Sequence, residues 1–263
     1  MSIHMKLLIT NCDEFYKTFQ FLEGFTNDVN VVCSAAGMQI QVYNTSLTAI
    51  ADVFFPRAYF HAYECGTDCV LGISVKLFLK VLKNAYKKDN VSLQISTKGD
   101  DIVLHIEQSS FQCTYTLKTV HIDQEQMQIP EMETFARYEV STDILKKWKS
   151  HLYDKSPITF TPTAEGITME SRDDMNNTVR IVDAISPEEV KAGEKNWEDI
   201  SLGWANFVYV FNLLAFGRPI YLKFFMDTAP VETYIELDGG VKLKTYIAPR
   251  MNDSPKKRKL VDE

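Results

Sequence analysis

An α+β fold built twice is what the sequence predicts, and three observations predict it. Runs in which every second residue is apolar recur along the chain, as strands with one buried face require. Between them stand segments with apolar residues at helical spacing. The order of these segments then returns in the second half at a constant distance. Val91, Leu93 and Ile95 in VSLQIS fall on Ile220, Leu222 and Phe224 in IYLKFF, 129 residues on (220 less 91). Gly37 in AAGMQIQV falls on Gly166 in AEGITMES at the same distance, each between two alternating runs. Both read as hairpins whose glycine takes positive φ. Likewise Leu77 to Ala85 falls on Asn206 to Leu214, and Cys113 to Leu117 on Lys242 to Tyr246.

The elements follow in order. In NCDEFYKTFQFLEG, Phe15, Phe19 and Leu22 recur at helical spacing, with Asn11 as N-cap and Asp13 and Glu14 in the acidic first turn. The hairpin VNVVCS and GMQIQV comes next. A second helix is expected from Ser74 to Asp89, with Leu77, Phe78, Val81, Leu82, Ala85 and Tyr86 on its apolar side. Residues 119–134, TVHIDQEQMQIPEMET, have neither period and contain Pro130, so they read as an extended linker. The third helix is STDILKKWKSHL, where Ile144, Leu145, Trp148 and Leu152 follow Ser141 and Thr142. After Pro249 the chain becomes MNDSPKKRKLVDE, polar and unsuited to packing. The expected organisation is therefore a first domain over 1–118, a linker over 119–134, a second domain over 135–250 and a tail over 251–263.

Composition narrows the function. With 263 residues, 45% hydrophobic and 24% charged, the chain is globular rather than disordered or collagen-like. Its 28 Lys and Arg against 35 Asp and Glu give a net charge of -7, which excludes a uniformly basic coat but leaves room for one basic face. No apolar run reaches the roughly 18 residues of a membrane span, and MSIHMKLLITNCDEF lacks the pattern of a signal peptide. A soluble intracellular protein with no membrane partner is expected. Five cysteines, an odd number, fit a reducing compartment, and the Cys65 and Cys69 pair has no second pair or nearby histidine to complete a zinc set. The five histidines stand singly, and phosphate-loop, dinucleotide and nucleophile-elbow motifs are absent. Asp100, Asp101, Asp173 and Asp174 sit in turn contexts, where carboxylates accept backbone hydrogen bonds. Neither an enzyme nor a cofactor or metal is expected.

The charged face of the second helix carries the most information. At about 100° per residue, Lys76, Lys80, Lys83 and Lys87 fall within an arc of about 60°. Such a stripe repels itself by a few tenths of a kcal/mol per pair, so it is either a solvated face or a seat for an anionic polymer. On the third helix Lys146 and Lys149 share a face with Ser150, and Lys147 lies at its edge. The first helix offers Lys17 beside Asp13 and Glu14, and the last has Ala205, Tyr209, Asn212 and Phe216 in place of the stripe. No aromatic residue interleaves with the lysines, which favours phosphate contact with duplex over single-strand stacking.

Three stretches then point to one family: GISVKLFLKVLKNA at 72–85, MQIPE at 127–131 and LKTYIAPRMND at 243–253. With these in this order the chain resembles the eukaryotic type of DNA sliding clamp, the proliferating cell nuclear antigen (PCNA) family, over residues 4–252. The resemblance implies a homotrimeric ring around double-stranded DNA that tethers DNA polymerase and is placed by a clamp loader. Lys17, Lys80, Lys83 and Lys147 match basic positions of the family, whereas Asn212 stands where the family has a lysine. Partners of such clamps insert a PIP-box peptide into a pocket. Its matching residues here are Tyr43, Leu47 and Ile50, then Met127, Ile129 and Pro130, and then Pro230, Tyr246, Ala248, Pro249 and Arg250. Tyr43 replaces a family methionine. An apolar M-x-I-P within a polar linker agrees with an exposed partner site.

Ring closure in the family pairs edge strands, matched by Phe111, Cys113, Tyr115 and Leu117 and by Thr178, Arg180 and Val182. Ala164 takes the place of a lysine modified in cellular relatives. The run Lys256, Lys257, Arg258 and Lys259 resembles a nuclear import signal, which puts the protein in the nucleus, or in a host nucleus for a divergent viral member. The alternative to an encircling ring is a clamp-fold interaction scaffold or a monomeric processivity factor.

Overall fold

The computed structural model describes residues 5–85, 92–98, 101–108, 110–190, 199–226 and 229–250. The first half runs β1 (Met5–Ile9), α1 (Cys12–Glu23), β2 (Asp28–Ser34), β3 (Gly37–Tyr43), β4 (Ala49–Pro56), β5 (Ala62–Cys65), β6 (Cys69–Ser74), α2 (Val75–Leu82), β7 (Ser92–Lys98), β8 (Asp101–Gln108) and β9 (Phe111–Lys118). The second runs β10 (Thr134–Val140), α3 (Thr142–His151), β11 (Ile158–Thr163), β12 (Gly166–Arg172), β13 (Thr178–Asp183), β14 (Glu189–Val190), β15 (Ile200–Leu202), α4 (Trp204–Asn212), β16 (Ile220–Phe225), β17 (Val231–Glu236) and β18 (Lys242–Ile247). Each half is thus strand, helix, strands, helix, strands in the same order.

The sheets express the duplication. β5-β1-β7-β8-β9 form a five-stranded sheet and β13-β12-β11-β15 a four-stranded one. The counterparts of both are fused into a nine-stranded sheet, β14-β10-β16-β17-β18-β4-β3-β2-β6. The fusion is the antiparallel pair of β18 with β4, from Lys242 opposite Phe54 to Ile247 opposite Ala49. Alternation sets the burial: in β8 the even positions Ile102, Leu104 and Ile106 are buried. α1 and α2 press Phe15, Phe19 and Phe78 together, with ring centroids of Phe19 and Phe78 4.7 Å apart and Phe15 and Phe55 5.5 Å apart. In the second half Phe207 lies 5.1 Å from Phe160 and 5.0 Å from Phe211.

The two hairpin glycines behave as their spacing predicts. Gly37 has φ 148° and Gly166 φ 154°, and a Cβ at either would collide with a carbonyl of the neighbouring strand, Phe55 or Asp183. A tyrosine hydroxyl seals each turn, but from different strands. Tyr63 on β5 lies 2.8 Å from the carbonyls of Ser34 and Gly37, and Tyr138 on β10 2.6 Å from that of Thr163.

Several expectations need correction. α2 ends at Leu82 and continues only as a turn to Ala85; Tyr86, Lys87 and the rest of the expected helix lie outside the described residues. Leu77, expected on the apolar side, is exposed, because the helix buries Val75, Phe78, Leu79, Val81 and Leu82 instead. Asn11 makes no side-chain cap, whereas Ser141 Oγ accepts a hydrogen bond from the Ile144 amide. The constant offset also fails at the last strand. Cys113, Tyr115 and Leu117 face inward on β9, but on β18 the buried set is Leu243, Thr245 and Ile247, not Lys242 and Lys244. The cause is the connection: Gln108 pairs with Phe111, with two residues between them in the link, while a 3₁₀ turn at Asp238–Gly240 lengthens the link from β17 to β18.

Residues 119–133 of the linker form no helix or strand, Thr134 opening β10, but the segment is tied down along its course. The Val120 amide donates to the Gly72 carbonyl at 2.9 Å, and Asn30 Nδ2 to the Ile122 carbonyl at 3.0 Å. No helix among the described residues is long and apolar enough to cross a membrane.

Candidate nucleic-acid and partner surfaces

α2 starts directly from β6, so its first turn is fixed by the sheet, and its buried row leaves Lys76 and Lys80 in solvent. Lys83, the first residue past the helix, keeps helical dihedrals (φ -55°, ψ -26°) and is exposed on the same side. No carboxylate of the described residues is ion-paired with these three lysines. On α3, Leu145 and Trp148 face inward, and Lys146, Lys147 and Lys149 face solvent. Lys146 pairs with Asp143 at 3.2 Å, and Lys149 Nζ sits 5.5 Å from the centre of the Phe211 ring. Lys17 differs: it is mostly buried and paired with Asp13 at 2.7 Å, which offsets its charge. Lys87 lies outside the described residues.

α4 uses the same outward positions for contact within the chain. Tyr209 stacks on Phe25, the ring centroids 3.9 Å apart and the planes 21° from parallel. Asn206 Oδ1 accepts from Asn44 Nδ2 at 3.0 Å and from Thr48 Oγ1 at 3.1 Å. Arg218 adds a bridge from Glu14 on α1, at 3.1 Å, to Asp238, at 2.6 Å.

A second surface surrounds the linker. Gln41 on β3, itself buried, grips the Met127 peptide from both sides: its Nε2 donates to the Met127 carbonyl at 3.1 Å and its Oε1 accepts from the Met127 amide at 2.6 Å. Met127 is left with its side chain 50% exposed. Beside it opens a cavity of 520 Å³ between the linker and the central sheet, to which Met127, Ile129, Pro130 and Tyr246 contribute. Tyr43, Leu47, Ile50, Pro230, Ala248, Pro249 and Arg250 do not line it. Its floor was not foreseen: Asp52, Lys223, Glu232 and Lys244 come from four strands of both halves. For Glu232 and Lys244 the signal in the sequence is that polar residues alternate with apolar ones on β17 and β18. Burial and the neighbouring Glu232 carboxylate push the Tyr246 hydroxyl well above its ordinary pKa, keeping it a neutral donor.

The loop between β3 and β4 carries Leu47 at φ 55°, 76% exposed. A bulky non-glycine residue in the left-handed region is strained, and here it also leaves its side chain in solvent. Asn44 holds the loop in place, its Oδ1 accepting from the Thr48 amide at 2.9 Å and the Ala49 amide at 3.0 Å. The C-terminal segment runs alongside, the Ala248 amide donating to the Thr48 carbonyl at 2.9 Å and the Arg250 amide to the Ser201 carbonyl at 2.7 Å.

The third surface is a pair of open edges. β9 and β13 end their sheets, with Phe111 57% and Val182 71% exposed, Thr178 and Arg180 exposed, and Cys113, Tyr115 and Leu117 half-buried. The basic run at 256–259 lies outside the described residues, and among those described no three His, Cys, Asp or Glu side chains gather as a metal site would require.

Comparison with known proteins finds relatives of the chain. A family model described as the N-terminal domain of proliferating cell nuclear antigen matches residues 7–128. Proliferating cell nuclear antigen 2 of Plasmodium falciparum is 31% identical over 127 residues, 45% of this chain and 48% of that protein, so the chain matches about half the length of that relative. Proliferating cell nuclear antigen of Chaetomium thermophilum is 24% identical over 244 residues, 90% of this chain and 94% of that one. The crystal structure of the corresponding antigen from Entamoeba histolytica has the same fold, with a TM-score of 0.81 at 19% identity over 95% of this chain and 100% of that one.

Proposed function

We propose that the chain, whose residues 7–128 match a family model described as the N-terminal domain of proliferating cell nuclear antigen, works as a DNA sliding clamp. Three copies close into a non-catalytic ring around duplex DNA, and the ring tethers DNA polymerase and other partners by topology rather than by tight binding. The observation that carries this reading is the repeated edge. Within the chain β18 and β4 join the halves by antiparallel pairing, and their counterparts β9 and β13 are left open with apolar residues in solvent. A long open edge of this kind is a template for another strand. Pairing β9 of one copy with β13 of the next repeats the internal junction and, on closure, leaves neither of these two edges free.

In that ring Lys76, Lys80 and Lys83 on α2 and Lys146, Lys147 and Lys149 on α3 supply phosphate contacts, with Lys87 continuing the stripe and the paired Lys17 contributing less. Exposed Leu47 and Met127, with Tyr43, Ile50, Ile129, Pro130, Pro230, Tyr246, Ala248, Pro249 and Arg250 around them, receive the aromatic side chains of PIP-box peptides. The basic run at 256–259 directs the protein to the nucleus. Retention on DNA tests the reading: loaded protein stays on nicked circles and is released when they are linearised. Equal loss from circles and linear DNA would reject encirclement.

A further inference from the structure

We propose that in the closed ring Asp154 of one copy stands between Lys80 and Lys83 of the next, so that the seam between subunits is latched by charge. The inference rests on the ring reading and adds to it which residues meet beside the paired edges.

The internal junction serves as the template. There the end of α1 meets α4 of the other half: Phe25 stacks on Tyr209 at 3.9 Å, and a Cβ on Gly24 would lie 3.8 Å from Tyr209 Cε1 and 3.9 Å from Asn212 Nδ2. At the seam the corresponding elements are the end of α3 and α2 of the next copy. α2 and α4 correspond residue for residue, since each starts one position after its N-cap residue, Ser74 or Gly203. Tyr209 therefore becomes Lys80, and Asn212 becomes Lys83. For α3 two alignments compete. The sequence offset of 129 puts Asp154 at Phe25, whereas matching the buried pair Phe15 and Leu22 to Leu145 and Leu152 shifts the count by one and puts it at Gly24. Gly24 and Phe25 both touch α4, so either alignment brings Asp154 against the two lysines.

The local chemistry agrees. Asp154, Lys80 and Lys83 are all exposed, and the structure records no ion pair for any of them among the described residues. Lys80 and Lys83 are three apart on one helix face, where like charges repel, and an acid between them relieves that cost. The same lysines are candidate DNA contacts, so phosphate and Asp154 compete for them, and salt loosens both the grip on DNA and the closure of the ring.

Sedimentation equilibrium at about 50 mM and about 500 mM salt, spanning strong and weak screening, tests the latch. The variants are Asp154→Asn, Asp154→Lys and the double exchange Asp154→Lys with Lys80→Asp. At low salt Asp154→Asn lowers association about two- to fivefold per seam, the range of an exposed pair, and flattens its salt dependence. Asp154→Lys weakens it further, and the double exchange recovers it. Unchanged association of Asp154→Asn with unchanged salt dependence, or a double exchange no better than Asp154→Lys, overturns the latch while a wild-type trimer leaves the ring standing. A wild-type monomer at low salt overturns the ring reading and the latch together.

Discussion

α2 turns Lys76, Lys80 and Lys83 to solvent, while α4, which leaves the equivalent strand of the second half, has Ala205, Tyr209 and Asn212 at those places. The inward rows are alike in kind: Val75, Phe78, Leu79 and Leu82 in one, Phe207, Val210 and Phe211 in the other. The fold therefore demands only the inward positions, and the outward ones record each helix's neighbour. α4 lies against α1 of its own chain, a neighbour that is always present, so an aromatic stack is never left in water. Among the described residues no carboxylate pairs with the outward lysines of α2. Charge keeps such a face soluble until its partner arrives.

Exchanging the chemistry of the two helices tests this contrast. The largest effect is expected from replacing Lys76, Lys80 and Lys83 together by alanine: the salt dependence of DNA binding becomes shallower by about 0.9 per lost phosphate contact, and the affinity at low salt falls by orders of magnitude. A titration monitored by fluorescence anisotropy reads both, and an unchanged slope would remove α2 from the DNA surface. Tyr209→Ala on α4 is expected to act on stability instead, by about 2 kcal/mol through the lost stack and its packing, seen as a lower midpoint in denaturant with DNA contacts on α2 intact.

Two smaller effects compare the turns and ties of the halves. Gln41→Leu removes both hydrogen bonds to Met127 and costs about 1–2 kcal/mol, with faster amide exchange at Met127 and weaker peptide binding. Leu47→Asn gives the β3 to β4 turn the residue type that the second half already uses at Asn176, where φ is 65°. Asparagine tolerates this conformation better than leucine, so a gain of up to about 1 kcal/mol is expected, together with weaker peptide binding. A loss of stability there would show that Leu47 is not strained.

Much of the architecture was legible because its signals are local. Gly37 and Gly166 mark their hairpins, Ser141 caps α3, and the repeat order follows from alternation and helical spacing. What was not legible depends on contacts between distant segments or on a loop's length. The five residues between β17 and β18 put the last strand out of phase with its counterpart, and no periodicity reports that. Leu77 reads as core on a helical wheel, yet the sheet takes Val75 and Leu79 instead. Lys76, Lys80, Lys83 and Met127 are exposed, as the pattern predicts, while Lys87 lies outside the described residues. The polar floor of the cavity escapes it, because Lys223 meets Glu232 only when β16 pairs with β17, and Asp52 meets Lys244 only when β18 and β4 fuse the two halves.

The mass of the purified chain in solution, by light scattering at low salt and micromolar concentration, tests the central claim most directly. A ring of three requires about 90 kDa, three times the 30.1 kDa of one chain, and a stable value of 30.1 kDa under those conditions would contradict it.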